Sequence, residues 1–221
     1  MKDKRYQKFT MTNIRYLLDN GIYIWVGDAY KKYTSFSENP MSKEDFVNKL
    51  KIDDEFCHIW GDLGPVYGEQ WIRCNGNINQ IANTIDTLKK DPDSRRLIVS
   101  AWNVSELDRM TLVPCHYSFQ FWTRELSLEE RVYLWCKSIG KSKHYGSDMS
   151  HKKLDVLKFP KRMISLKWNQ RSVDSLLGLP YNITSYALLL ILIGKEVNMI
   201  PEQLSFSGGD THLYKNHLEQ A

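Results

Sequence analysis

One thiol stands at the start of an alternating apolar segment. In VPCHYSFQFW, residues 113–122, Cys115 lies between Pro114 and His116, and both neighbours interrupt the apolar pattern. A cysteine outside a disulfide is commonly a small buried hydrophobe, so packing is one interpretation of Cys115. The other is a nucleophile, because a nearby arginine would stabilise the reactive thiolate. The residue types alone leave both interpretations open.

Arginines adjoin two other segments with strand character. Arg95 and Arg96 stand at the start of one of them, and Gln170, Arg171 and Ser172 come directly after the other. A guanidinium group can bind phosphate through two parallel hydrogen bonds. Exposed surface charge is the default interpretation of any single arginine. Their occurrence together predicts an anion-binding site at one edge of a sheet.

The segments that carry these residues predict an α+β fold. Arg96–Asn103, residues 117–122 and Met163–Asn169 are rich in β-branched and aromatic residues and alternate as strands do. Residues 181–198 are apolar around the whole helical axis, which predicts a long helix buried at the centre of the molecule. Strands and helices in mixed order imply a layered α+β arrangement, here a mixed twisted sheet packed by helices.

The rest of the chain is predicted to complete one domain over residues 1–221. Two short amphipathic helices are expected at Thr12–Asn20 and Asn77–Lys90. Polar segments at about 29–58 and about 126–162 are interpreted as inserted surface elements that the chemistry does not need. Each contains a pair of residues typical of a capped helix start, namely Ser42 with Asp45 and Ser127 with Glu130.

Composition limits the class of protein further. A chain of 221 residues with 42% hydrophobic residues can bury a sizeable core. The four cysteines show neither zinc-site nor disulfide-framework spacing, which favours a reducing, cytoplasmic location. The longest apolar run, residues 187–193, is too short to cross a bilayer. A formal charge of +4 is mild for a nucleic-acid-binding protein but suits a small anionic ligand.

Five segments resemble the thymidylate synthase family, and they occur in the family's order. They are TNIRYLLDNGIYIW, GDLGPVYGEQW, DPDSRRLIVSAWNVSELDRMTLVPCHYSFQFW, NQRSVDSLLGLPYNITSYALLL and FSGGDTHLYKNHLEQ. Together they cover more than half of the chain, which a single short motif does not. The resemblance implies the layered thymidylate synthase fold and the methylation of dUMP to dTMP. The co-substrate would be 5,10-methylenetetrahydrofolate, which supplies the carbon and the hydride, and no metal is expected.

The resemblance also assigns the reacting centre. Cys115 would add to carbon 6 of uracil, and Arg171 would bind the phosphate and favour the thiolate. Asn182 would bond the pyrimidine edge on which negative charge develops, although a helix N-cap is its structural alternative. Tyr67 would assist removal of the proton from carbon 5, although it could instead fill a turn.

Further positions follow from the same resemblance. The substrate-binding residues would be Arg95, Arg96, Arg171, Ser172, Asp174, Asn182, His212 and Tyr214. The folate-binding residues would be Trp25, Asp174, Leu177 and Gly178. In the family, the pair matching Arg95 and Arg96 reaches the phosphate bound by the partner subunit, which implies a two-fold symmetric homodimer with shared sites.

The sequence also departs from the family pattern. YQKFTMTN, residues 6–13, stands where the family has a helix with a proton-relay glutamate, and it contains no glutamate. The chain stops at Ala221, before the family's last strands and terminal carboxylate, and Asn169 replaces a usual tyrosine. These departures predict a slow enzyme or one completed by another polypeptide. A nucleotide hydroxymethylase, which Asn182 disfavours, and a non-catalytic nucleotide-binding remnant stay as alternatives.

Overall fold

The structure is a computed structural model and describes residues 12–220. The chain divides into two compact units, one formed by residues 1–80 and 100–114 and the other by residues 81–99 and 115–221. Residues 6–11, where the sequence lacks the family's glutamate, lie outside the described part. Whether all 221 residues belong to one domain remains a prediction.

The first unit is built from short helices around an aromatic core. Its helices are α1 (Arg15–Asp19), α2 (Val26–Phe36), α3 (Lys43–Ile52), α4 (Asp54–Trp60) and α5 (Gly68–Arg73). The predicted start of α3 is confirmed, since Ser42 Oγ accepts a hydrogen bond from the Asp45 amide at 3.1 Å. Tyr33 packs against Phe46 and Trp60 with ring centroids 5.1 and 5.2 Å away. Contacts of this kind add to the free energy gained by burying the rings.

The segment at about 29–58 was expected on the surface, and the structure corrects this expectation. Ala29, Phe46, Leu50 and Cys57 are fully buried, and Tyr33 is 7% exposed. The apolar residues of α3 stand four positions apart, so Phe46 and Leu50 share one helix face and enter the core together. Whether the segment is inserted or dispensable remains a prediction.

The second unit contains a four-stranded sheet. Its strands are β1 (Ile98–Ser100), β2 (His116–Glu125), β3 (Arg162–Asp174) and β4 (Ile200–His212), adjacent in that order. β2 and β3 are antiparallel, whereas β3 and β4 are parallel, so the predicted mixed sheet is confirmed. Helix α6 (Gln80–Lys90) precedes β1, as predicted.

The segment at about 126–162 forms helices α7 (Leu128–Ser138) and α8 (His151–Val156) between β2 and β3. The predicted capping box of Ser127 and Glu130 is confirmed. Contrary to the expected surface element, this segment has a buried interior. Arg131 is 1% exposed and donates hydrogen bonds to the carbonyl oxygens of Phe159 and Pro160 and to the carboxylate of Asp155.

The long apolar helix is α9 (Gly178–Glu196), which connects the parallel strands β3 and β4. Tyr186, Leu190, Ile193 and Gly194 are buried, which confirms a buried inner face. Burial around the whole axis is wrong for the described residues, because Leu188, Ile191 and Leu192 on the outer face are 53–55% exposed. The apolar composition of a helix predicts that its surface favours burial. It does not predict whether other described residues pack on every face of that helix.

Strand β4 was not predicted from the sequence. It contains Gly208 and Gly209, and glycine is depleted in strands. A Cβ atom at Gly209 would lie 2.7 Å from the Arg171 carbonyl oxygen, so glycine lets β4 approach β3 closely there. Gly209 therefore serves the packing of β4 against the end of β3, whereas a Cβ atom at Gly208 would crowd Phe206 and Thr211 of β4 itself.

Candidate active site

The backbone places Cys115 directly opposite Arg171. His116 pairs with Gln170 in the antiparallel register of β2 and β3, and the Arg171 amide donates a hydrogen bond to the Cys115 carbonyl oxygen at 2.8 Å. Opposed residues of an antiparallel pair project from the same face with Cβ atoms about 4.5–5.5 Å apart. Cys115 is partly buried and Arg171 is exposed. The side chains of Cys115 and Arg171 therefore leave the sheet side by side at this end.

The parallel pairing of β3 with β4 adds more predicted residues to the same end. Ser172 pairs with Asp210, and Asp174 pairs with His212. The ring of Tyr214 lies edge-on to that of His212, with centroids 5.0 Å apart. Ser172, Asp174, His212 and Tyr214 thus lie at the end of the sheet where Arg171 lies.

Asp174 also shapes the turn into α9. Its Oδ1 atom accepts hydrogen bonds from the amides of Leu176 and Leu177, each at 3.1 Å. A Cβ atom at Gly178 would lie 3.3 Å from Asp174 Cβ and 3.9 Å from Asn182 Oδ1. Gly178 therefore lies close to both polar residues, and a side chain there would crowd Asp174.

Asn182 is not the N-cap of α9, so the alternative interpretation of this residue as a helix cap is wrong. The helix begins at Gly178, and the cap residue is Leu177, which makes no side-chain capping bond. Asn182 lies in the first turns of the helix, four positions after Gly178, and is partly buried. Its amide is therefore not needed to cap the helix start.

Two residues next to the Cys115 and Arg171 pair were missed by the sequence analysis. Gln170 is 3% exposed; it accepts a hydrogen bond from the Trp168 indole at 3.2 Å and donates one to the Ser172 carbonyl oxygen at 2.9 Å. His116 Nδ1 lies 2.8 Å from the Tyr186 hydroxyl, and burial lowers the pKa of His116 to about 4. The only sequence signal for either residue was its position beside Cys115 or Arg171.

Arg95 and Arg96 lie toward the opposite end of β2. The Phe121 amide donates to the Leu97 carbonyl oxygen at 2.9 Å, and the Thr123 hydroxyl donates to the Pro92 carbonyl oxygen at 2.7 Å. At about 3.3 Å per residue, this part of β2 is roughly 20 Å from Cys115. Both arginines are exposed, and the structure does not bring them to Cys115 within one chain.

Trp25 and Tyr67 lie together in the first unit. Their ring centroids are 5.9 Å apart, and both residues line a cavity of about 240 Å³. The backbone of Tyr67 has a φ of 29°, which is uncommon for a residue other than glycine and occurs at functional sites as well as in turns. Tyr67 also packs on the core of this unit, so its role as a turn residue stays possible.

Two further observations concern the kind of site. No group of three or more His, Cys, Asp or Glu side chains within residues 12–220 is arranged to hold a metal ion. No helix in the same range is long and apolar enough to span a membrane. Of the predicted folate residues, Leu177 is exposed, and Asp174 lies close to Gly178.

The α+β fold, with the side chains of Cys115 and Arg171 adjacent at one end of its sheet, fits the predicted class, an anion-binding site with a candidate cysteine nucleophile. Comparison with known proteins identifies the family. The sequence profile described as thymidylate synthase matches residues 8–221. The chain belongs to the thymidylate synthase family.

Curated relatives agree with this assignment. The chain is 44% identical over 210 residues to a thymidylate synthase of Mesoplasma florum and 39% identical over 212 residues to that of Mycoplasma genitalium. A thymidylate synthase of Sinorhizobium fredii is 40% identical over 214 residues. These alignments cover 95% of this chain but 60–61% of each relative. The chain thus spans about three fifths of the length of the relatives it matches.

Proposed function

We propose that the chain acts as a thymidylate synthase and catalyses the reductive methylation of dUMP to dTMP. The observation that carries the proposal is the hydrogen bond of 2.8 Å between the Arg171 amide and the Cys115 carbonyl oxygen. This bond holds a nucleophile and an anion-binding group on adjacent strands. Membership of the family supplies the reaction that uses this pair.

Cys115 is the proposed nucleophile. Its sulfur forms a bond to carbon 6 of uracil, and the electron pair of the double bond between carbons 5 and 6 moves toward carbon 5 and the oxygen on carbon 4. Positive charge near the sulfur favours the thiolate. The proposed source of this charge is Arg171, whose side chain leaves the sheet beside that of Cys115. Burial lowers the pKa of His116 to about 4, so that ring is neutral at physiological pH. When the double bond forms again, the sulfur leaves as a thiolate.

Asn182 and Tyr67 are proposed to manage the charge and the proton. The Asn182 amide would donate to the pyrimidine edge that becomes negative when the sulfur adds. Its position in the first turns of α9, without a capping duty, supports this role. Tyr67 would assist loss of the proton from carbon 5, a step that needs a positioned base or water.

The substrate phosphate and sugar have separate proposed partners. Arg171 and Ser172 would bind the phosphate, and His212 and Tyr214 would bind the ribose hydroxyl. The partner's Arg95 and the partner's Arg96 would complete the phosphate site in a symmetric homodimer. In one chain, Arg95 and Arg96 lie roughly 20 Å from Cys115 along β2. This distance supports a role in the partner's site rather than in the site of the same chain.

The co-substrate 5,10-methylenetetrahydrofolate would be held by Trp25, Asp174, Leu177 and Gly178. When bound, it supplies the one-carbon unit and the hydride. The exposed apolar side chain of Leu177 supports a contact with its ring. No metal takes part in the proposal, and the predicted location is the cytoplasm.

A second candidate is binding of dUMP without turnover. It is favoured by one observation, namely that Asn169 stands where the family usually has a tyrosine. In that case, the end of the sheet with Cys115 and Arg171 would bind the nucleotide, and no chemistry would follow. The family's reaction remains the first choice because the nucleophile and its cationic neighbour are both present.

The direct test is release of tritium from carbon 5 of labelled dUMP, with and without the folate. We expect release that depends on the folate and is lost in Cys115→Ser, while calorimetry still detects dUMP binding. Cys74→Ser is the matched control, because Cys74 is also partly buried but lies outside the proposed site. Turnover by Cys115→Ser would contradict the nucleophile, and binding without release by the unaltered chain would favour the second candidate. The product mass separates a methyl from a hydroxymethyl group.

A further inference from the structure

A layer of buried side chains lies beneath the Cys115 and Arg171 pair. His116 follows Cys115 and Gln170 precedes Arg171, and the two are directly opposite each other in the register of β2 and β3. Since successive residues of a strand project to opposite faces, His116 and Gln170 project away from Cys115 and Arg171. They therefore enter the face of the sheet that α9 covers.

Tyr186 of α9 lies at the centre of this layer. It is 2% exposed, and its hydroxyl oxygen lies 2.8 Å from His116 Nδ1. Its ring is nearly parallel to that of Trp168, with centroids 5.1 Å apart and an angle of 12°, and it meets Phe119 edge-on at 5.6 Å. The Trp168 indole in turn binds Gln170. Packing against these rings holds the Tyr186 hydroxyl in one place.

We propose that Tyr186 is a positioning residue that donates its hydroxyl proton to Nδ1 of His116 and so fixes the ring orientation and tautomer of the residue next to Cys115. The imidazole proton is then on Nε2. This inference deepens the proposed function and, for its effect on turnover, rests on it.

The donor direction is part of the proposal, since the contact of 2.8 Å fits either tautomer of a neutral imidazole. Such a ring has one nitrogen that donates and one that accepts. Burial lowers the pKa of His116 to about 4, so one nitrogen has no proton at physiological pH. A phenol donates readily to an unprotonated ring nitrogen. Donation to Nδ1 satisfies both buried groups and leaves Nε2–H as the donor of the ring.

The expected consequence concerns turnover more than binding. His116 is joined by one peptide bond to Cys115, whose carbonyl oxygen is held by Arg171. If the ring changes its orientation, the main chain at the nucleophile shifts with it. Loss of one hydrogen bond to a positioned group corresponds to about a 3- to 10-fold effect, which we expect in kcat. KM for dUMP should stay within about twofold, because the phosphate contacts are unchanged.

The test compares Tyr186→Phe with Tyr133→Phe. Both remove one hydroxyl and keep the ring, but Tyr133 is 52% exposed on α7 and outside the proposed machinery. Nitrogen-15 NMR of the imidazole groups reports the tautomer directly. In the unaltered chain we expect a proton on Nε2 of His116, an unprotonated Nδ1, and no protonation of the ring at pH 7. In Tyr186→Phe the Nδ1 resonance should shift and the tautomers should mix, whereas Tyr133→Phe should match the unaltered chain.

The NMR measurement of the tautomer and the measurement of turnover test different parts of the proposal. A proton on Nδ1 in the unaltered chain, or an unchanged His116 spectrum in Tyr186→Phe, overturns the proposal whatever the activity. Absence of turnover in the unaltered chain contradicts the proposed function but leaves the tautomer result to decide the Tyr186 contact. If Tyr186→Phe does not fold, the tautomer of the unaltered chain decides alone. An equal fall of kcat in Tyr133→Phe would also overturn the proposed effect on turnover.

Discussion

The two ends of β2 are stabilised by different kinds of interaction. At the Cys115 end, buried neutral hydrogen bonds connect Trp168 to Gln170 and Gln170 to the Ser172 carbonyl oxygen. At the other end, Arg124 forms solvent-exposed ion pairs with Glu130 and Glu202 at 2.9 and 2.6 Å. Salt screens exposed pairs far more than buried groups. The comparison predicts that the ion pairs at the far end respond to pH and salt, whereas the buried hydrogen bonds at the Cys115 end respond little.

Arg171→Ala should have the largest effect on the nucleophile end. We expect dUMP binding to weaken about 100-fold, because charge-assisted hydrogen bonds to phosphate are worth about 1.5–3 kcal/mol each. Alkylation of Cys115 by iodoacetamide at pH 7 should also slow. Calorimetry and mass spectrometry of the labelled peptide provide the two measurements. Lys167→Ala, an exposed cation on the same strand, is the control, and an equal loss in both variants would contradict the assignment.

Mixing two inactive variants tests the role of the opposite end. Subunits with Cys115→Ser and subunits with Arg96→Ala, combined in equal amounts, should recover about a quarter of full activity. Half of the dimers are then mixed, and one of the two sites in each mixed dimer has every residue. Tritium release after subunit exchange is the measurement. No recovery, despite mixed dimers seen by native mass spectrometry, would place Arg96 outside a shared site.

Gln170→Leu should weaken the buried support without removing a ligand contact. It leaves the Trp168 indole and the Ser172 carbonyl oxygen without their partner, at a cost of about 1–3 kcal/mol for each group. Urea unfolding should show a lower midpoint with an unchanged slope, and turnover should fall several-fold. Gln120→Leu, on the neighbouring strand, serves as the comparison. A larger loss of stability in Gln120→Leu than in Gln170→Leu would contradict the proposed support.

The ion pairs of Arg124 should give the smallest effect, and one that depends on pH. The hydrogen bond from Arg124 lowers the pKa of Glu130 from an ordinary 4.5 to about 2. The pKa of Glu130 is lower in the folded state than in the unfolded state. The contribution of the ion pair to the free energy of unfolding is therefore complete above pH 4.5 and is lost as the pH falls toward 2. Arg124→Met should therefore be only slightly less stable than the unaltered chain at pH 6, and the difference in stability should be smaller still at pH 2.5. Urea midpoints at both values, with Lys167→Met as the control, check this; a gap that widens in acid would contradict it.

Local patterns in the sequence predicted the elements that local chemistry determines. The capping box of Ser127 and Glu130 and the alternation of residues 117–122 both correspond to real elements, α7 and β2. Strand β4 was missed because Gly208 and Gly209 have low strand propensity. Gly209 is explained by the close approach to Arg171, and Gly208 by crowding from Phe206 and Thr211. The approach of Gly209 to Arg171 is a tertiary contact, which a short stretch of sequence does not reveal.

The candidate site likewise contains residues that the sequence predicted and contacts that only the structure shows. Family resemblance singled out Cys115 and Arg171, and the structure places them on adjacent strands. The contact between His116 and Tyr186 joins residues 70 positions apart and could not be found from either segment. The exposed outer face of α9 was also unpredictable, because composition does not specify which other residues cover a helix.

The most direct test of the central claim is to locate the covalent bond itself. The chain would be mixed with dUMP and 5,10-methylenetetrahydrofolate, quenched rapidly in denaturant, digested, and analysed by mass spectrometry. We predict the added mass of the nucleotide on the peptide that contains Cys115, and none in Cys115→Ser. An adduct on Cys57, Cys74 or Cys136, or turnover with no adduct on any cysteine, would contradict the account.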